Sequence, residues 1–563
     1  MQRQRPVALR PLNGVKPAGS LDSELVSPST GKGPPAWLPQ GITILSITIL
    51  VLVGCVLAFT HPRFHLTVLA GDDAGYYLAV ARNYALGFGY SFDRINPTNG
   101  FNPLMPILLI GLFRVFSHNL DLVTGFRIAT LITWLALVAG VVPFRRLTRR
   151  VLEVYKFPMP WVGTAVAGVT FFYAAFLALK GYYGMDAFLV LGLALIWLGR
   201  VSSRGLLSPG VFNAVIDGGL IGAIILARVD SMSLAIVVFG IMLLRVMGGR
   251  GTLAQLGGRF LVFAVLVIPY FVWNALNFGD WLPISARLKT AFPHLDIASS
   301  LNTVLHTSVN PADLVVLFVG FVAAVGWCIA LAPQIRAGGT PDSSSHVRDA
   351  MLVLSAYMAL RLTWLLAFSR FDVQSSYFIL AAPFVAVSVL VVMGRWRPPA
   401  GAISGCVGLL AVALVLIAGK VAVAFPQIRA VASGAGDNGW NLAQRIHSAV
   451  RQEEVIFGGA QGLVGYFADR SWINGDGVAN NRQYEEAKAQ GRVDAYLRCY
   501  RVNYVVIDIG MGSSLPNEHF GSGFVLKGDQ IGRDQTVWLL TMPNRDLSPA
   551  SVAEACQSLR GAK

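Results

Sequence analysis

Gly71-Asp72-Asp73-Ala74-Gly75-Tyr76-Tyr77, continuing to Asn96-Pro97-Thr98-Asn99-Gly100-Phe101-Asn102-Pro103-Leu104, is the stretch on which the reading of the whole chain turns. Its two adjacent carboxylates follow closely on a long apolar run. Adjacent carboxylates repel, so the pair points to a bound cation, a captured proton or wide solvent exposure. The apolar run that comes next, Pro103 to Ser117, opens Pro-Leu-Met-Pro and carries Arg114. Whether it crosses a membrane decides the side on which every later loop lies.

Working outward, the composition sets the class. The chain has 563 residues, of which 54% are hydrophobic and only 13% charged, and its mean hydropathy is +0.58. Apolar runs cover roughly 42–60, 122–143, 159–179, 184–199, 211–227, 231–246, 258–276, 312–332, 349–368, 377–394 and 401–424. Each is near the length that crosses a bilayer core. That pattern predicts a polytopic α-helical membrane protein of about eleven spans and excludes a soluble enzyme. A formal charge of +15 would suggest nucleic acid in a soluble chain. Here it reads as topogenic, because Lys and Arg collect in loops that stay inside.

Charge bias then places Pro103–Ser117. If it spanned, the Arg145/Arg146/Arg149/Arg150 cluster would face outward, against the bias. If it lies in the interface, the loops at 1–41, 144–158, 200–210, 245–259, 333–348 and 395–400 carry nineteen Lys/Arg inside, against nine in the outer loops. We therefore read an interfacial helix, a cytoplasmic N-terminus and an extracytoplasmic C-terminus in a multi-pass protein of the plasma (inner) membrane. Residues 1–41 read as a disordered tail and 42–424 as the transmembrane part. Residues 425–563, with strand-like runs at Val455–Gly458, Tyr504–Ile509 and Val537–Thr541, read as a small α/β domain. The five cysteines show no metal spacing. Cys499 and Cys556 are available for a disulfide if the tail faces an oxidising compartment.

On this topology the unusual polar residues share the outer face: Asp72-Asp73, Lys180 to Asp186, Arg228-Val229-Asp230, Arg287 and Lys289, and Arg370 with Asp372 before Tyr377. Any one of these charges reads as a side chain anchoring a helix end. Together, at headgroup depth, they suit a lipid-linked anionic substrate. Cations hold a phosphate, and a carboxylate takes a proton from an incoming nucleophile. A transporter or flippase of lipid-linked glycans is the alternative, although transporters tend to carry their polar groups mid-membrane in two related halves.

These blocks resemble the GT-C superfamily of polyprenyl-phosphate-sugar-dependent glycosyltransferases, which includes protein O-mannosyltransferases and aminoarabinose transferases. The likeness rests on several stretches: the Asp72–Leu104 loop, Gly184-Met185-Asp186-Ala187, Ala227-Arg228-Val229-Asp230, and Phe278-Gly279-Asp280-Trp281-Leu282-Pro283 with Lys289. In the tail it adds Gly465-Tyr466-Phe467-Ala468-Asp469-Arg470 and Asn474-Gly475-Asp476-Gly477. The chain departs from the family pattern at Asp186, where Glu is usual, at Val229, where Pro is usual, and at Ser376-Tyr377, where Arg-Tyr is expected. The resemblance implies transfer of a sugar from a polyprenyl-phosphate donor to a glycan, lipid or protein acceptor, with inversion. It implies Asp72 or Asp73 as general base, the first favoured, and Asp186 as the residue orienting the acceptor. Lys289, Arg228, Arg370 and Tyr377 would surround the donor phosphate. A divalent cation, Mg²⁺ or Mn²⁺ on Asp72 and Asp186, is optional and no cofactor is required.

Overall fold

The computed structural model describes residues 37–64, 66, 72–116, 120–155, 168, 184–306, 311–333, 343–370, 375–395, 438–459, 462–508, 527–530, 537–541 and 548–560. The expected spans 159–179 and 401–424, residues 180–183 and Asp372 lie outside them.

A backbone away from water must satisfy its own hydrogen bonds, so the apolar runs close into helices. In order these are α1 (Trp37–Phe59), α2 (Asp72–Ala85), α3 (Leu104–Val115), α4 (Leu122–Val154), α5 (Asp186–Arg204), α6 (Val211–Ala227) and α7 (Met232–Met247). They are followed by α8 (Leu253–Phe278), α9 (Ile284–Lys289), α10 (Ile297–His306), α11 (Pro311–Leu331), α12 (Ser343–Phe368) and α13 (Ala381–Arg395). Among the described residues, five helices are long and apolar enough to cross a membrane: Leu122–Val154, Asp186–Arg204, Val229–Met247, Leu253–Phe278 and Ser343–Phe368. The α3 helix has 12 residues. At 1.5 Å per residue it extends about 18 Å, well short of a hydrocarbon core of about 30 Å.

Local chemistry sets the ends. Asp121 caps α4 by accepting from the Thr124 N–H at 2.8 Å, which satisfies one orphan donor of the first turn. The helix does not stop at residue 143 as the apolar run alone implies. It continues through the arginine cluster to Val154, because arginine is a good helix former once the chain leaves the lipid. Thr252 and Gln255 form a capping box at the start of α8, and Gly279 ends that helix in the left-handed conformation. The helical core is tied by Trp134 of α4, which stacks edge-on against Phe188 of α5 at 5.4 Å and donates its indole N–H to the Leu50 carbonyl of α1.

The C-terminal residues form a five-stranded mixed sheet, β1 (Val455–Gly458), β2 (Ser471–Asn474), β3 (Val502–Asp508), β4 (Lys527–Gln530) and β5 (Val537–Thr541), in the order β2-β1-β3-β5-β4. The β1 strand runs parallel to β2 and β3, while β5 is antiparallel to β3 and β4. Around it lie α14 (Asn438–Ala449), α15 (Gly462–Ala468), α16 (Arg482–Ala489), α17 (Val493–Cys499) and α18 (Pro549–Arg560). A Cys499–Cys556 disulfide joins α17 to α18.

This C-terminal part seats directly on α2 and the loop that follows it. A Cβ on Gly75 would lie 2.1 Å from the Gly462 carbonyl carbon, and one on Gly100 would lie 2.0 Å from the Val478 oxygen, so only glycine permits either approach. Asp469 accepts from both Arg82 and Arg94. The Asn474 amide donates to the Tyr76 hydroxyl at 2.8 Å, and the Thr98 hydroxyl donates to the Asn480 carbonyl at 2.8 Å.

Candidate active site

Helix ends from four parts of the chain meet at this junction. Asp186 is the first residue of α5, where the helix dipole favours a carboxylate. Its side chain is buried at 2% exposure. The Tyr77 hydroxyl donates to it at 2.7 Å, as does the Asn102 amide, and Arg228 Nη1 lies 3.7 Å from its other oxygen. Burial, and then the Asp186 charge, push the Tyr77 phenol well above its ordinary range, so it remains a neutral donor. The Asn102 carbonyl in turn accepts from the Val229 N–H at 2.9 Å. Asn102 thereby ties the first loop to α5 and to the α6–α7 corner.

That corner holds a second carboxylate, Asp230. Arg228 grips it through Nε and Nη2, each at 3.2 Å, and Arg361 of α12 donates to it from the other side. Arg228 also donates to the Ser376 carbonyl at 3.0 Å. Arg361 donates to the Tyr377 carbonyl at 3.2 Å. Three cations gather about the Tyr377 ring, with Arg228, Lys289 and Arg361 at 4.9, 5.7 and 6.0 Å from its centroid. Burial alone would lower the Lys289 pKa. The contact with Tyr377 and the Asp73 charge outweigh burial and raise it, so the ammonium persists. Lys289 ends α9, and backbone bonds from Ala291 N–H to the Phe368 carbonyl (2.7 Å) and from Arg370 N–H to the Lys289 carbonyl (3.1 Å) fix it against the end of α12.

Two adjoining cavities open on these groups. The first, of about 120 Å³, is walled by Asp230, Lys289, Arg361, Trp364, Leu365 and Tyr377 among others. The second, of about 50 Å³, is walled by Asp73, Tyr76, Gly100, Asp186, Lys289 and Val478 among others. Asn102, Arg228, Ser285, Lys289 and Tyr377 line both. One side of the composite space is thus cationic with an apolar margin, and the other offers the half-buried Asp73 carboxylate.

Of the residues expected from the sequence, Asp73, Asp186, Arg228, Lys289 and Tyr377 come together here. Asp72 begins α2, but its side chain lies outside those described. Arg370 is exposed and lines neither cavity; its part in the site is the backbone bond to Lys289. Arg361, Asp230, Tyr77 and Asn102 carry the site's polar wiring and were given no role from the sequence. For Arg361 the signal was a lone charge inside an apolar run, which is costly unless it serves a purpose.

Asp186 and Asp230 do not suit a divalent cation; the side chain of Asp72, the other expected ligand, lies outside those described. Asp186 spends its oxygens on Tyr77, Asn102 and Arg228, and Asp230 spends its own on two guanidiniums, whereas Mg²⁺ or Mn²⁺ needs free carboxylate oxygens. No group of three or more His, Cys, Asp or Glu placed to hold a metal occurs among the described residues.

No family model matches the sequence, and no curated protein matches it significantly. Solved structures do. ArnT from Cupriavidus metallidurans bound to undecaprenyl phosphate matches with a TM-score of 0.52 at 13% identity, covering 89% of this chain and 98% of that one. The same protein in the apo state gives 0.50 at 11% identity over the same shares. The apo oligosaccharyltransferase from Archaeoglobus fulgidus gives 0.47 at 15% identity, covering 85% of this chain and 71% of that one. Over most of its length the chain therefore shares the fold of ArnT.

Proposed function

We propose that the chain is an integral-membrane glycosyltransferase that moves a sugar from a polyprenyl-phosphate donor to an extracytoplasmic acceptor. The observation that carries this is the shared wall of the two cavities, with a carboxylate on one side and a cation cluster on the other. The donor phosphate occupies the first cavity with its prenyl chain leaving past Trp364 and Leu365, and the acceptor enters the second. Asp73, which lines the acceptor side, removes the proton from the acceptor hydroxyl. The freed oxygen attacks the anomeric carbon from the face opposite the phosphate. The bond from that carbon to the phosphate oxygen breaks, and its electron pair stays on the leaving polyprenyl phosphate, so configuration inverts.

Lys289 meets that developing charge directly. Arg228 and Arg361 share Asp230, and Arg228 also faces Asp186, so these four balance and Lys289 gives the cluster its net positive charge. Asp186 does not act as a base. It is a positioning residue that holds Tyr77, Asn102 and Arg228 in register. The fold of a protein crystallised with undecaprenyl phosphate supports a lipid-linked donor. The Cys499–Cys556 disulfide supports an oxidising, extracytoplasmic side for the C-terminal part, and hence for the site it seats on. The test is to incubate the purified chain with a panel of polyprenyl-phosphate monosaccharides and measure released polyprenyl phosphate. Release that depends on an acceptor supports the reading. Movement of intact donor across a vesicle membrane without release overturns it in favour of the flippase.

A further inference from the structure

A second polar cavity lies at the far ends of the same helices. It has a volume of about 280 Å³, and Arg204, Arg245, Arg250, Ser345, His346 and Asp349 are among its walls. The α5 helix starts at Asp186 in the active site and finishes at Arg204 here. Its 19 residues rise about 28 Å, close to the thickness of a hydrocarbon core. The α12 helix likewise carries His346 and Asp349 at this end and Arg361 at the other. The cavity therefore sits at headgroup depth on the membrane face opposite the active site.

Its charge is unbalanced. Arg245, 4% exposed, pairs with Asp349, 8% exposed, and among the described residues that carboxylate is the one acidic group in the wall. Arg204 donates to a neutral partner, the Asn213 amide oxygen at 3.0 Å. The Arg250 backbone closes its turn on the Arg245 carbonyl at 2.9 Å, and its guanidinium makes no ion pair with a described residue. Among the described residues the wall thus sets three guanidiniums and an imidazole against a single carboxylate. The first turn of the 26-residue α12 adds its dipole at Ser345. Arginines that only set topology need a loop, not a walled space with one of their number buried in it. Arginine forks match phosphate oxygens in geometry as well as charge, and basic pockets between helices at this depth suit lipid headgroups.

We propose that this cavity is a second ligand site, which binds a phosphate-bearing anion on the face opposite the active site. The phosphate comes from an anionic phospholipid headgroup or from a soluble phosphate compound. The proposal is independent of the glycosyltransferase reading. It is tested on the full chain in nanodiscs of phosphatidylcholine with or without phosphatidylglycerol, scored by native mass spectrometry for retained lipid. Calorimetric titration with pyrophosphate in phosphatidylcholine discs is the second arm. Retention of phosphatidylglycerol assigns the site to a lipid, and pyrophosphate binding assigns it to a soluble anion. In either case the Arg204→Gln/Arg250→Gln double variant should lose about ten- to a hundredfold in affinity. Ser345→Glu, which adds a carboxylate without removing an arginine, should do the same and carries the test if the double variant misfolds. Wild type binding neither probe, or wild type and both variants binding alike, overturns the proposal.

Discussion

The two ends of the helical bundle use one motif, a carboxylate gripped by two guanidiniums, to different ends. At the candidate active site Asp230 lies between Arg228 and Arg361. Toward the other face, Asp217 of α6 lies between Arg200 and Arg259. The Asp217 set is closed. Arg259 is fully buried and donates through Nη1 to the Gln255 carbonyl at 3.0 Å and through Nη2 to the Ser208 carbonyl at 2.7 Å, clamping the α5–α6 loop onto α8. The Asp230 set is open. Its carboxyl is 34% exposed, and both arginines border a cavity that also holds Lys289. A buried ion triad with no free wall serves the fold. The same triad with one wall open offers a field to a ligand.

Substitutions can break that comparison, and the sharpest lies beside the open set. Asp73→Asn should cut turnover by about 10²–10⁴-fold with the melting temperature unchanged, because the amide keeps the shape but accepts no proton. Polyprenyl phosphate release and a thermal melt on the same sample check both halves. Asp72→Asn, run in parallel, should cost less; a larger loss there moves the base to the first of the doublet. The closed set predicts the reverse. Asp217→Ala strands the fully buried Arg259 guanidinium beside the partly buried Arg200 and should lower stability by about 3–5 kcal/mol, while folded molecules turn over at the wild-type rate. A pure rate defect without a melting shift would mean that Asp217 reaches the chemistry.

Smaller effects sharpen the assignment of the phosphate contact. Lys289→Ala removes one charge-assisted bond of about 1.5–3 kcal/mol, so turnover should fall roughly ten- to a hundredfold. Arg370→Ala removes an exposed side chain and leaves its backbone bond to Lys289 in place, so it should stay within about twofold. Both are read from the same release assay, and equal losses from the two would undo the placement of the phosphate.

Apolar runs marked most of the described helices, and Asp186, Arg228, Lys289 and Tyr377 were located through the family-like blocks that carry them. Arg361 escaped because it sits within a run read as a span. Asn102 escaped because an amide in a loop has no signature until its partners are known. Among the strands, Val455–Gly458 and Val537–Thr541 are apolar enough to be seen. Lys-Gly-Asp-Gln at 527–530 is polar throughout, and only pairing with β5 makes it a strand. That Asp73 lines a cavity was not legible in the doublet, because the fold alone brings Val478 and Lys289 to its side.

The seating of the C-terminal part on α2 has a consequence for how the protein is made. Arg82 is synthesised 387 residues before the Asp469 carboxylate that anchors it, and Tyr76 398 residues before Asn474. Domains tend to fold as they emerge during synthesis, yet here the acceptor side of the candidate site waits for residues made nearly four hundred positions later. A nascent or truncated copy already inserted in the bilayer would carry the cation cluster but not the completed acceptor cavity, whose wall includes Val478.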